Sequence, residues 1–183
     1  MSKRITKVTT KKGDDGSTGM GDGSRLSKSS NLVNAIGEVD ELNSWIGLLA
    51  SSSHLKKEVT LLRKIQNDLF DIGGSMAMRS DVDFDKKKIE WLEEKIDHLN
   101  KGLPDLDNFI LPGGHKDSSR THIARTVCRR AERSLILARE NESINKSCII
   151  YINRLSDLLF VLARKINIDL GIKEITWSQE DLT

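Results

Sequence analysis

Three arginines repeat at helical spacing in the second half of the chain. Arg125, Arg129 and Arg133 stand four residues apart, so on a helix they share one side, with Glu132 among them. Like charges at this spacing repel one another, and a negative group is therefore expected to compensate them. The candidates are an acid on another helix, a neighbouring subunit, or a polyphosphate, whose oxygens the planar guanidinium binds bidentately. A solvated basic face is the alternative interpretation.

A narrow polar notch interrupts the apolar run near the C-terminus. Asn153, Ser156 and Asp157 lie within residues 151–166, where apolar residues otherwise cover most of a helix circumference. Buried polar groups need hydrogen-bond partners, so the notch is expected to face the arginine helix, where it could also contact a ligand. A structural polar network that fixes the register of the helices is the alternative.

The N-terminal segment 9–21 is rich in glycine, threonine, lysine and aspartate. Glycines allow backbone amides to approach a phosphate closely, and the hydroxyl and amino groups supply donors and positive charge. The segment is neither a Walker A loop nor a dinucleotide-binding fingerprint, because the residue order and the preceding strand that those motifs require are missing. A disordered tail is the alternative for this composition.

Other chemistries find little support in the sequence. The two cysteines, Cys128 and Cys148, form no CxxC pair, which argues against a disulfide scaffold or a cysteine-ligated zinc. Lys and Arg number 29 against 27 Asp and Glu, and the net charge of +2 argues against nucleic-acid binding. With no apolar leader and no uninterrupted apolar span, the chain is expected in the cytoplasm and off the membrane. The scattered histidines are expected to be surface or capping residues: His54, His98, His115 and His122.

The periodicity of apolar residues predicts the elements that position these groups. Hydrophobic residues make up 37% of the chain and aromatics only 4%, which favours helices over strands. Apolar stripes with steps of three and four predict helices over about 32–49, 55–76 and 89–99. A fourth helix should begin with Asp117 or Ser118 as its N-cap, and a fifth should run from Asn145, a natural cap, to about Gly171. The expected fold is all-α, a five-helix bundle in one domain 1–183, with a loop segment 1–27, the bundle 28–171 and a tail 172–183.

Five motifs occur in one order along the chain: TKKGDDGSTG at 10–19, GEVDELNSWIG at 37–47, FILPGG at 109–114, ARTVCRRAER at 124–133 and YINRLSD at 151–157. Together they resemble the PduO-type ATP:cob(I)alamin adenosyltransferase family, over about residues 10–168. The resemblance implies a five-helix bundle with an N-terminal glycine-rich loop, assembled as a homotrimer with active sites between subunits. It also implies transfer of the 5′-deoxyadenosyl group of ATP to the cobalt of cob(I)alamin, with release of triphosphate and formation of adenosylcobalamin.

The resemblance further assigns roles to residues. Arg129, Phe109, Asp40 and Arg125 would act in catalysis. Phe109 would help displace the lower axial ligand of cobalamin, while Asp40 and Arg125 would bridge adjacent subunits beside the corrin. Magnesium would accompany ATP, its protein ligands unassigned. The ATP-binding residues would come from the loop, the fourth helix and the fifth helix: Thr10, Lys11, Lys12, Gly13, Asp14, Gly16, Ser17, Thr18, Gly19, Lys28, Arg129, Arg130, Glu132, Arg133 and Asn153.

Three positions depart from the pattern usual in that family. Lys12, Gly21 and Ser24 replace residues more common there, which concerns the details of nucleotide contact rather than the reaction. The implied partners are a flavin-type reductase and a cobalamin-dependent acceptor enzyme. Because the cofactor's cobalt would be the nucleophile, the resemblance agrees with the lack of a recognisable protein nucleophile. The alternatives are a non-catalytic ATP- or corrinoid-binding sensor or delivery protein of the same fold, and a nucleic-acid-binding helical module, which the near-neutral charge disfavours.

Overall fold

Helices carry the fold, as the apolar periodicity predicts. A computed structural model describes residues 9–80 and 84–178, and the ends of the predicted loop and tail, at 1–8 and 179–183, lie outside the described residues. Within the described ranges the chain forms five α-helices. They are α1 (Asn31–Ala50), α2 (Val59–Ala77), α3 (Lys86–Asn100), α4 (Lys116–Arg139) and α5 (Lys146–Asp169).

The core lies where the predicted apolar stripes meet. Helix α4 packs against both α1 and α5, while α2 packs on α1 and α3 packs on α5. Helix α5 is buried on most of its circumference, which confirms its predicted place at the centre of the bundle. Its N-cap is Asn145, as expected, whose side chain accepts a hydrogen bond from the Ser147 amide at 2.8 Å. None of the helices in the described ranges is long and apolar enough to cross a membrane.

The start of α4 differs from the prediction. The N-cap is His115, whose Nδ1 accepts a hydrogen bond from the Asp117 amide at 3.2 Å, so that neither Asp117 nor Ser118 caps the helix. Asp117 instead lies in the first turn, fully buried, and accepts hydrogen bonds from Ser52 Oγ and the Arg120 guanidinium. The Ser52 hydroxyl from outside the helix and the guanidinium one turn along it satisfy the carboxylate, and the imidazole of His115 serves as the cap.

A short antiparallel hairpin lies in the segment predicted to be loop. Strand β1 (Ser17–Gly19) pairs with β2 (Arg25–Ser27), with Thr18 opposite Leu26. Strands of three residues are too short to produce a recognisable alternation of apolar and polar residues, so this hairpin could not be predicted from the pattern. The turn between the strands uses Gly23, whose φ of 87° suits a residue without a Cβ.

The second predicted helix is divided. Leu55 belongs to a separate 3₁₀ turn, Ser53–Leu55, and α2 begins four residues later at Val59. Leu55 is nevertheless buried, so it contributes to the apolar stripe without belonging to the helix. Gly73 and Gly74 lie within α2 and do not stop the helix, which continues to Ala77.

Candidate functional site

The arginine row lies on α4 as predicted, and two of its members have no protein counter-ion. Arg129 and Arg133 are exposed, and neither forms an ion pair with a carboxylate of the described residues. Arg133 Nη1 donates to the Arg129 carbonyl at 3.2 Å, a bond that neutralises neither guanidinium group. Burial raises the pKa of the Asp157 carboxyl on α5, and the charge of nearby Arg129 acts in the opposite direction, although the two side chains form no ion pair. An acid on another helix therefore compensates Arg129 only at a distance, and a neighbouring subunit or a polyphosphate stays a candidate for direct contact.

Arg130, which the resemblance assigns to the nucleotide, is engaged elsewhere. Its Nε donates to Glu38 Oε2 at 2.5 Å, and its Nη2 contacts Glu41, both on α1. Hydrogen bonds from the Arg130 guanidinium to Glu38 and Glu41 raise its pKa above the ordinary arginine value. A nucleotide that used Arg130 would have to compete with this ion pair, so adjacent arginines on one helix differ sharply in availability.

The polar notch of α5 faces α4, as predicted. Asn153 Nδ2 donates to Glu132 Oε1 at 3.0 Å, and Asn153 Oδ1 accepts from Arg154 at 2.8 Å. Ser156 Oγ donates to the Asn153 carbonyl at 2.9 Å, whereas Asp157 lies at the exposed edge. Asn153 and Glu132 are therefore joined beside the arginine row. The same hydrogen bonds are also what a structural polar network that fixes the register of the helices would show.

The glycine-rich loop is held by its own side chains. Lys28 Nζ donates to the Gly13 carbonyl at 2.7 Å, and the Lys28 amide donates to the Gly16 carbonyl at 2.9 Å. Arg25 donates to the Lys12 carbonyl at 2.5 Å, which fixes the loop from the other side. The exposed residues of segment 10–19 are Thr10, Lys11, Lys12, Asp14, Asp15, Gly16 and Gly19, and Gly13, Ser17 and Thr18 are half-buried.

The described chain does not join this loop directly to the arginine row. The loop is attached to the bundle at the end of α2, where the Gly21 amide donates to the Ala77 carbonyl at 2.7 Å. Arg79, just beyond α2, is 3.8 Å from the Asp22 carboxylate. No hydrogen bond or ion pair within residues 9–80 and 84–178 links residues 10–19 to the guanidinium groups of α4.

A cavity of about 560 Å³ opens beside the N-terminal half of α4. Its walls include the turn that carries Phe109, together with Phe160 of α5 and Arg125 of α4. Phe109 itself is 82% exposed, an unusual position for a large apolar ring. The Arg125 guanidinium carbon lies 5.9 Å from the centre of the Phe160 ring, and its Nε is buried without a partner among the described residues.

His122 was expected at the surface, and that expectation is wrong. The residue is only 3% exposed and lines the same cavity, and its ring packs edge-on against Phe160 at 6.2 Å between centroids. Neither ring nitrogen has a hydrogen-bond partner among the described residues. Burial, with a contribution from nearby Arg125, lowers the pKa of His122 to about 4. His122 lies on the same side of α4 as the arginine row, not on the side that faces the core of the bundle. It is buried there beside Phe160 and the cavity that the Phe109 turn lines.

One face of α4 thus connects the cavity with the exposed charges. At 100° per residue, His122, Arg125, Arg129 and Arg133 fall within about a quarter of the helix circumference. The first two line the cavity, and the last two are exposed beyond it. A ligand that extends from the cavity along this face would meet the free arginines.

Asp40 and Arg125 do not meet within the described chain. Asp40 is exposed on α1, beside a groove of about 310 Å³ that includes Gly37, Phe70 of α2 and Gly73. Arg125 lines the cavity beside Phe109 instead, and no ion pair joins the two residues. Their predicted pairing would require a second copy of the chain.

One cluster of potential metal ligands occurs in the described residues. His54, His115 and Asp117 offer ligand atoms within 4.8 Å of one another. Asp117 already accepts from Ser52 and Arg120, and His115 Nδ1 already caps α4. Two imidazoles also do not suit magnesium, which prefers oxygen ligands.

Comparison with known proteins finds relatives over almost the whole chain. The family model described as cobalamin adenosyltransferase matches residues 8–166. A cobalamin adenosyltransferase from Cupriavidus metallidurans is 46% identical over 181 residues, covering 98% of both chains. A corrinoid adenosyltransferase from Bacillus subtilis is 40% identical, covering 94% of this chain and 93% of its own.

Solved structures of a Lactobacillus reuteri PduO-type ATP:corrinoid adenosyltransferase share the fold. A phenylalanine-to-alanine variant, complexed with cobalamin and ATP, superimposes with a TM-score of 0.89 at 39% identity, covering 94% of this chain and 100% of that one. An arginine-to-lysine variant complexed with ATP gives 0.88 at 40% identity, covering 93% and 100%.

Proposed function

The chain belongs to the cobalamin adenosyltransferase family and uses ATP to adenosylate cobalamin, and we propose that one face of α4 organises the reaction. In this proposal the corrin lies in the cavity behind Phe109, and the triphosphate of ATP lies along Arg129 and Arg133. The 5′ carbon of the ribose is then placed between them, over the cobalt. The products are adenosylcobalamin and triphosphate.

The contrast between neighbouring arginines carries this proposal. Arg130 forms ion pairs with Glu38 and Glu41. Neither Arg129 nor Arg133 has a carboxylate within ion-pair distance in the described chain. A triphosphate supplies the charge that these two lack, and guanidinium groups bind its oxygens bidentately. Because the leaving group gains charge as the carbon–oxygen bond breaks, fixed cations at its position favour the transition state over the ground state.

The described residues need supply no nucleophile for this reaction. Reduced cobalt attacks the 5′ carbon directly, so the protein contributes position and electrostatics. The two cysteines are buried, and burial raises the pKa of the Cys128 thiol well above its ordinary range, which leaves it inert. Phe109 projects from its turn beside the cavity and is proposed to displace the lower axial ligand of cobalt.

We further propose a homotrimer in which each site is completed by a second copy. The Nε of Arg125 is buried and has no hydrogen-bond partner among the residues that the structure describes, while Asp40 is exposed on a different groove of the same chain. A neighbouring copy that brings its Asp40 to Arg125 would satisfy both groups. The same arrangement would bring a neighbour's glycine-rich loop to the arginine row, with Lys28 and the loop amides contacting the nucleotide.

Supporting components follow from the chemistry of the substrates. Magnesium would enter as the counter-ion of ATP, keeping water and phosphate oxygens as ligands, since the cluster at His54 does not fit it. A reductase, proposed to be of the flavin type, must supply cob(I)alamin, and a cobalamin-dependent enzyme would accept the product. The buried Cys128 thiol fits a reducing compartment, and we propose the cytoplasm.

The test compares two arginines of the same helix. Arg129→Ala should lower kcat/KM for ATP by about 10²–10³-fold, the typical effect of removing one charge-stabilising donor. Arg139→Ala, at an exposed position in the last turn of α4, is the matched control and should retain activity. Formation of the cobalt–carbon bond is followed by absorbance with cob(II)alamin, a strong reductant and ATP. Equal activity of the two variants would contradict the assignment of the phosphate site.

A further inference from the structure

The C-terminal segment 172–178 lies against the turn that carries Phe109. The Trp177 amide donates to the Phe109 carbonyl at 2.7 Å, and the Leu111 amide donates to the Ile175 carbonyl at 2.8 Å. Between these bonds, Ile110 and Thr176 form an antiparallel bridge. The tail therefore fixes the backbone on both sides of Phe109, a connection between parts of the chain more than 60 residues apart.

Arg164 of α5 anchors both partners of this pairing. Its Nε donates to the Glu174 carboxylate at 3.1 Å, and its Nη2 donates to the Pro104 carbonyl at 2.8 Å. The Arg164 and Glu174 side chains are only 5% and 12% exposed, so this is a buried ion pair. One guanidinium thus holds the start of the tail and the segment that leads into the turn.

Phe109 depends on this support because its ring has little packing of its own. It is 82% exposed, so side-chain contacts within the chain do not fix its position. The bonds to the tail, and Asn108 Nδ2 donating to the Trp177 carbonyl at 2.7 Å, hold the backbone instead. A reactive geometry that is off by about 1 Å can cost 10²-fold in rate, so immobilising this turn has a direct catalytic value.

We propose that Arg164 and Glu174 are positioning residues that hold Phe109, through the paired tail, at the height where it displaces the lower ligand of cobalt. This rests on the role given to Phe109 above. Neither residue touches the substrates in this proposal. When the ion pair is broken, the tail separates from the turn, the Phe109 ring samples other positions, and less bound cob(II)alamin loses its lower ligand. ATP binding, which uses the other end of the α4 face, is unaffected.

The test uses a matched pair of carboxylate variants. Glu174→Ala removes the buried ion pair with Arg164. Asp169→Asn removes the exposed ion pair between Asp169 and Lys165, whose charged atoms are 2.6 Å apart at the end of α5, the helix that carries Arg164. In Glu174→Ala, kcat should fall about tenfold and KM for ATP should stay within about twofold. The fraction of bound cob(II)alamin without its lower ligand, measured by absorbance and electron paramagnetic resonance, should fall in parallel. Asp169→Asn should match the wild type, and Glu174→Gln should recover part of the loss.

A double-mutant cycle separates positioning from general destabilisation. In the Phe109→Ala background, Glu174→Ala should have no further effect on kcat or on the cobalt spectrum, because the ring it positions is absent. Two results would overturn the proposal while leaving the function of Phe109 intact. One is a kcat of the double variant that is lowered by the product of the two single effects, and the other is an unchanged cobalt spectrum in Glu174→Ala. If Phe109→Ala itself leaves the spectrum unchanged, the proposed role of Phe109 fails and this inference fails with it.

A second variant keeps the inference testable if Glu174→Ala does not fold. Trp177→Pro removes the amide that donates to the Phe109 carbonyl and leaves the Arg164 ion pair in place. It should show the same lowered kcat, unchanged KM for ATP and altered cobalt spectrum. A folded Trp177→Pro enzyme with wild-type kcat and spectrum would overturn the proposal.

Discussion

The buried imidazole of His122 should make the folded protein sensitive to mild acid. Its pKa is about 4 in the folded state against 6.5 for a free histidine, because burial and then Arg125 disfavour the imidazolium. Below pH 6.5 the unfolded chain binds a proton that the folded chain refuses until about pH 4. The free energy of unfolding therefore decreases as pH falls through this window, by as much as about 3 kcal/mol from this residue alone.

Replacing His122 with leucine removes that titration without adding a polar group to the cavity. Urea unfolding of the wild type and of His122→Leu is measured at intervals from pH 7.5 to pH 4. The difference in unfolding free energy should be constant above pH 7 and should shift by about 3 kcal/mol in favour of the variant towards pH 4. Comparing the two proteins cancels the carboxylates, which titrate in both.

The exposed His98, on α3, provides the control. His98→Gln, unfolded in urea over the same pH range, is the matched replacement of a histidine outside the cavity. A difference between wild type and His122→Leu that did not depend on pH would refute the reasoning. It would mean that the His122 imidazole is protonated equally well in the folded and unfolded chain, and hence that a partner solvates it in the cavity.

Three further changes test packing, backbone and surface charge by urea unfolding at pH 7. Leu135→Ala, at a fully buried position of α4, should lower the unfolding free energy by about 2–5 kcal/mol, and a loss under 1 kcal/mol would mean that the core is loose there. Gly114→Ala should lower the unfolding free energy by about 2–5 kcal/mol, because φ is +90° at this position and a Cβ would overlap the side-chain amide of Asn167. That amide's Oδ1 accepts a hydrogen bond from the His115 backbone amide, which the overlap would disturb. A neutral effect would contradict the backbone conformation at Gly114. Arg130→Ala should lower the unfolding free energy by about 1 kcal/mol or less, and by still less in high salt, because the Arg130 side chain is 42% exposed. A loss that did not depend on salt would contradict an ion pair screened by solvent.

The helices were predictable because burial imposes a period that the sequence records. The apolar stripes identified α1, α3 and α5 closely, and Asn145 was identified as a cap from its residue type alone. The start of α4 was displaced because Asp117, an ordinary cap residue, is bound instead by Ser52 from outside the helix and by Arg120 one turn further along it. Tertiary partners of this kind leave no periodic trace, so local propensity could not reveal them.

The position of the arginine row on its helix was predictable from the sequence, but the surroundings of each arginine were not. The spacing of the arginines predicted that Arg129 and Arg133 share one face of the helix. In the described residues neither of them forms an ion pair with a carboxylate. Arg130 has the same residue type and lies one position along, yet it is held by acids of α1. His122 gave no signal because Phe160 buries it across the polar side of the helix. Which arginine is free and which histidine is buried depends on neighbours that only the fold brings together.

The layout of α4 offers a physical reason for using one helix to bind both substrates. With a rise of about 1.5 Å per residue, the face from His122 to Arg133 is roughly 16 Å long, enough to span a pocket and an adjoining polyphosphate. A rigid helix fixes the distance between the corrin cavity and the arginine row, so the separation of cobalt from the leaving group does not vary with loop motion. The glycine-rich loop and the Phe109 turn are instead attached at the edges of the bundle. The Arg164–Glu174 pair is the point at which the tail that holds the Phe109 turn is tied to the rigid helix α5.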